Sequence, residues 1–67
     1  MPLITFESGQ LSDVTKQELI KELTEVASRI TNIPSTSFFV SIHELPDENI
    51  AIGGKTVAEL KKEAGKL

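Results

Sequence analysis

Phe38-Phe39-Val40-Ser41-Ile42-His43-Glu44-Leu45 is the stretch that decides the fold. Read alternately, Phe38, Val40 and Ile42 fall on one face and Phe39, Ser41 and His43 on the other, the period-two pattern of a strand. Immediately upstream, Asn32 and Pro34 stop whatever precedes, because proline disfavours helical geometry in the residue before it and has no N–H to donate. What precedes is a helix. Leu19, Ile20, Leu23, Val26, Ala27 and Ile30 recur at spacings of three and four, and Lys16, Lys21, Glu22, Glu25 and Arg29 are assigned to the opposite side. Ser12, Asp13 and Thr15 supply oxygens that can accept from the free N–H groups of a first turn, so the helix is expected to begin near residue 12 or 13.

Further back, Pro2 to Glu7 reads as another strand, with Ile4 and Phe6 on one face, broken by Ser8, Gly9 and Gln10. Strand, long helix and strand make a βαβ unit with parallel strands and a right-handed crossover. Downstream, Pro46 to Asn49 reads as a turn and Ile50 to Ile52 as a short extended piece ending at Gly53 and Gly54. A last short helix follows. Thr56 and Glu59 stand three apart as in a capping box, with Leu60 and Leu67 as apolar anchors.

At 67 residues the chain is one small domain, and folding at this size buries only about 60% of the surface the unfolded chain exposes. Such a chain needs disulfides, a structural metal or other subunits. It has no cysteine and His43 is its single histidine, which excludes disulfides and a Cys/His zinc site. Association is left. A two-stranded parallel sheet under one helix also leaves a face and both edges uncovered, which again predicts a symmetric multimer. The net charge of -3, with seven lysines and arginines spread along the chain, argues against a nucleic-acid partner. Without an apolar run of roughly 20 residues or a basic leader before a hydrophobic stretch, the expectation is a soluble cytoplasmic protein with no membrane partner.

Among motifs, Gly54-Lys55-Thr56 looks like the end of a phosphate-binding loop, but that pattern needs a glycine where Asn49 stands, after a buried strand. A glycine turn entering a capped helix is the better reading. His43, beside Glu44, could act as a base, yet spacing places no nucleophile or ligand set around it, so a solvated or interface histidine is preferred. Asp47 and Glu48 read as a polar turn. Pro2 differs. Removing Met1 would expose a secondary amine at the head of a strand. Desolvation disfavours the charged form of an amine, so an apolar pocket would leave it neutral and able to take a proton from carbon next to a carbonyl.

Met1-Pro2-Leu3-Ile4 opening a strand, Leu19-Ile20-Lys21-Glu22 in the helix, Pro34 and Thr36-Ser37 before the strand Phe38 to Leu45, and Ile50-Ala51-Ile52-Gly53-Gly54 occur in one order. From Pro2 to about Gly54 this arrangement resembles a subunit of the 4-oxalocrotonate tautomerase family. The resemblance implies an α+β fold: a βαβ subunit with a two-stranded parallel sheet, one long helix, a short C-terminal hairpin and a short terminal helix. It implies one tautomerase-like domain over residues 1–67, dimers joined into a homohexamer, no cofactor, and Pro2 as general base in keto–enol tautomerisation of a small keto acid.

The chain departs from the family where charge is expected. The family places an arginine on the second strand where Phe39 stands, another in the first loop near Gln10 and Leu11, and an aromatic pocket wall where Ile50 stands. The resemblance therefore makes Phe39, Ile50 and Leu11 the substrate-binding candidates beside Pro2, and favours an apolar enol or ketone such as an aryl pyruvate. Lys16, Arg29 or Lys55 of a neighbouring subunit could replace the missing charge. The alternative is a non-catalytic ligand-binding or assembly module that keeps the fold.

Overall fold

The computed structural model describes residues 1–65. Strand β1 (Leu3–Ser8) is followed by helix α1 (Asp13–Thr31) and strand β2 (Phe39–Glu44), and the two strands pair in parallel, from Leu3 with Phe39 to Ser8 with Glu44. Two further bonds extend the ladder: Phe39 N–H donates to Pro2 O at 3.0 Å and Leu45 N–H to Ser8 O at 2.9 Å. β1 is thus displaced by one residue from the expected Pro2 to Glu7, and β2 is one residue shorter at each end than the expected Phe38 to Leu45. Ile4, Phe6, Phe38, Val40 and Ile42 are half-buried, the side that receives α1.

Ser12 caps α1, its Oγ accepting from Thr15 N–H at 3.2 Å. Asp13 in the first turn and Arg29 in the last both suit the helix dipole. At the other end Asn32 takes the left-handed conformation (φ 61°) and donates to Ser28 O at 2.9 Å, a geometry that asparagine tolerates better than most residues. Pro34 then opens a 3₁₀ turn over Ser35–Ser37, a local element that the pattern of apolar residues does not announce.

One assignment is corrected. Lys16 belongs to the sheet-facing side of α1 and is half-buried with Leu19, Leu23 and Ala27. Positions 16, 19, 23 and 27 form a single row at helical spacing, and a lysine in such a row can bury its stem and extend its ammonium to the edge. Its ammonium reaches Glu44 at the end of β2.

After a 3₁₀ turn at Asp47–Asn49, β3 (Ala51–Ile52) and β4 (Lys55–Thr56) form an antiparallel hairpin. Gly53 and Gly54 both have positive φ (60° and 87°), as the two central residues of a type I′ turn require. Thr56 caps helix α2 (Val57–Ala64), its Oγ1 accepting from Glu59 N–H at 3.1 Å and donating to Glu59 Oε1 at 3.2 Å, which is the cap half of the expected capping box. Leu60 is half-buried; Leu67, its expected companion, lies outside the described residues.

The packing is too open for a chain that lives alone. No described residue is buried. The radius of gyration is 15.8 Å, against about 11 Å for a compact domain of this length. The accessible surface is 5251 Å², about a quarter above the roughly 4,200 Å² of a folded monomer of this mass. Leu3, Phe39, Ile30 and Ile52 are 65%, 53%, 69% and 70% exposed.

Candidate active site

Pro2 is half-buried at the head of β1, and its carbonyl is fixed by the Phe39 N–H. Phe39 opposes Leu3 in the register. Alternation therefore puts the Phe39 and Leu3 side chains on the open face, while Pro2 continues the half-buried row of Ile4 and Phe6. The two candidates adjoin along the backbone but face opposite sides of the sheet.

Leu11 sits at the other end, where its N–H donates to Glu44 Oε2 at 2.8 Å, a strand length of about 20 Å from Pro2. Ile50 follows the Asp47–Asn49 turn, which lies beside Gly9, and its carbonyl accepts from Val57 N–H at 2.8 Å. Within one chain the four candidates are therefore not assembled into a pocket. An open depression of about 180 Å³ lined by Gln10, Pro46, Asp47 and Glu48 contains none of them.

The candidate cations are largely engaged. Lys16 Nζ is 2.8 Å from Glu44 Oε1 and 3.5 Å from Asp13 Oδ1, and Lys55 Nζ is 3.0 Å from Glu63 Oε1. Arg29 lies in the last turn of α1. The hydrogen bond from Lys16, then that from Leu11 N–H, hold the Glu44 carboxyl below the ordinary glutamate range against a smaller opposing effect of burial. Lys16 is raised in turn, chiefly by its hydrogen bond to Glu44. The tie between Glu44, Lys16 and the Leu11 N–H was missed in the sequence, although a lysine inside the apolar row one turn after the cap was its signal.

His43 is exposed on the open sheet face, with Nε2 2.7 Å from Ser41 Oγ and opposite Glu7 in the register. It stands four positions along β2 from Phe39, about 13 Å away. It is a surface histidine of this chain and not part of the Pro2 end.

A βαβ chain of this size, with a proline heading its first strand and a short C-terminal hairpin, defines a class of small α+β proteins. The chain belongs to the tautomerase family: residues 2–60 match the family described as "Tautomerase enzyme". It is 42% identical over 45 residues to a 2-hydroxymuconate tautomerase of Stutzerimonas stutzeri, covering 67% of this chain and 71% of that one. Among solved structures it resembles TomN, a 4-oxalocrotonate tautomerase homologue in the tomaymycin biosynthetic pathway, with 29% identity and a TM-score of 0.87 over 91% of this chain and 95% of that one. It also resembles a heterohexamer 4-oxalocrotonate tautomerase from Chloroflexus aurantiacus, with 28% identity and a TM-score of 0.85 over 90% and 98% of the two chains.

Proposed function

We propose that this protein is an isomerase, a keto–enol tautomerase of small 2-keto and 2-hydroxydienoate-type acids, with Pro2 as general base. The observation that carries the reading is the place of Pro2. The family match begins at this residue, and it is half-buried at the head of β1 with its carbonyl held by Phe39. While Met1 is attached, the Pro2 nitrogen is a tertiary amide without basicity. Once Met1 is removed it is a secondary amine, and an apolar surround favours its neutral form. The amine takes the hydroxyl proton of an enol, or the proton on carbon α to a carbonyl, and returns it at the other end of the conjugated system.

Residues 1–67 act as one tautomerase domain, and six copies, as a trimer of dimers, form the working unit in the cytoplasm. The open architecture supports this, since neighbours are needed to cover the sheet face and to bring Leu11, Phe39 and Ile50 towards Pro2. An apolar pocket of this composition favours arylpyruvate-like enols over dicarboxylates, because Phe39 and Leu11 supply no charge to a second carboxylate.

The second reading, a non-catalytic ligand-binding or assembly module, is favoured by one observation. Lys16 and Lys55 are paired within their own chain, which leaves fewer of the candidate cations to replace the charge expected at Phe39 and near Leu11. Ultraviolet absorbance during ketonisation of an arylpyruvate enol and of 2-hydroxymuconate separates the two. Wild-type protein exceeding Pro2→Ala on the aryl enol supports the enzyme. Equality with buffer on both substrates supports the module.

A further inference from the structure

Glu44 closes β2 and uses both carboxylate oxygens. Oε2 accepts the Leu11 N–H and Oε1 accepts Lys16 Nζ, each at 2.8 Å. The donors bracket the start of α1, one just before the Ser12 cap and one just inside the first turn. The other side-chain interactions at this junction are local, two hydrogen bonds between Ser12 and Thr15 and the ion pair of Lys16 with Asp13. One carboxylate thus joins the end of β2, the loop between β1 and α1, and the helix itself. The Lys16 and Glu44 side chains are each 28% exposed.

We infer that Glu44, assisted by Lys16, is a positioning residue that fixes the Gly9–Ser12 loop and so the direction in which Leu11 meets substrate. This rests on the reading of Leu11 as a pocket residue of the proline-dependent site. A loop N–H can donate to water almost as well as to protein, and exposed ion pairs contribute little to stability. What the carboxylate adds is a single orientation. The Leu11 side chain leaves the same Cα whose N–H is held, so fixing the one restricts the other. A loop without a tether samples several directions, and the cost falls on substrate binding more than on proton transfer at Pro2, which lies at the other end of the same chain.

The test uses the assembled protein with Met1 removed. kcat and KM for an arylpyruvate enol are measured for wild type, Glu44→Gln, Glu44→Ala and Lys16→Met, with native mass and with hydrogen exchange of the Leu11 amide by NMR. Glu44→Ala is expected to raise KM by ~10-fold and to speed Leu11 exchange by a similar factor, at unchanged native mass. Its kcat should stay within ~3-fold, since binding and not the transition state is affected. Glu44→Gln, which keeps an oxygen for Leu11, should lie between. An unchanged KM in Glu44→Ala at intact mass overturns the proposal, as does a fall in kcat that accompanies loss of the assembly. Wild type no faster than Pro2→Ala overturns the functional reading and removes this role with it, while Leu11 exchange still reports whether the tether exists.

Discussion

The family resemblance leads to the expectation of an arginine where Phe39 stands and of another in the first loop near Gln10 and Leu11, and on that expectation a fixed charge is replaced at both places by a residue without one. Preorganised cations facing a developing enolate are commonly the largest catalytic contribution in such a site, larger than the base itself. The double variant Leu11→Arg/Phe39→Arg should therefore raise kcat/KM for a dicarboxylate dienol by ~10²-fold. The same variant should gain little on an arylpyruvate enol, whose ring the phenyl surface accommodates. Steady-state rates on the two substrates check this, and equal gains on both would contradict the assignment of these positions to a second carboxylate. The proposal of Pro2 as base rests on its position and the surrounding resemblance, because nothing in the composition distinguishes a catalytic proline from an ordinary second residue.

The elements follow local chemistry closely. The alternation of Phe38 to Leu45, the Ser12 and Thr56 caps, and the Gly53-Gly54 turn each act within a few residues, so each could be read along the chain. Replacing Thr56 by Ala should cost the structure about 1 kcal/mol through loss of the cap, measurable by chemical unfolding. Gly54→Val should cost more, about 1–3 kcal/mol, since a β-branched residue is forced to positive φ. The Ser35–Ser37 turn was not legible, because three small hydroxylated residues carry no periodicity. The place of Lys16 was not legible, because a charged side chain reads as solvent-facing even where its angular position on the helix lies on the sheet side. Its pairing has a pH signature. Glu44 is held below its ordinary range in the folded protein, so its contribution is present above that range and disappears as pH falls through the depressed value. Lys16 is raised, so its contribution persists to alkaline pH and is lost only as pH rises through the raised value. Leu11 amide protection should therefore be level around neutrality and fall on the acid side below the ordinary glutamate range. In Lys16→Met the Glu44 carboxyl, followed by NMR, should titrate closer to that range.

On the scale of the whole molecule, the open shape is what kept the site from being read along the chain. Pro2 and Phe39 lie at one end of the sheet and Leu11 and Ile50 towards the other, so the proposed site requires contacts between chains, for which one chain's pattern holds no coordinates. The absence of any buried described residue leads to a direct expectation. Native mass should correspond to six chains, and the unfolding midpoint should rise with protein concentration, because assembly stabilises by mass action. A concentration-independent midpoint at the mass of one chain would contradict it. The central claim, that the amine of Pro2 is the base of an assembled tautomerase, is tested most directly by comparing ketonisation rates of three samples isolated at the same native mass. These are protein shown by intact mass to lack Met1, the same protein with Met1 retained, and processed Pro2→Ala. The account predicts that the first exceeds both others by the ~10²–10⁴-fold of a positioned acid–base group, and three equal rates would contradict it.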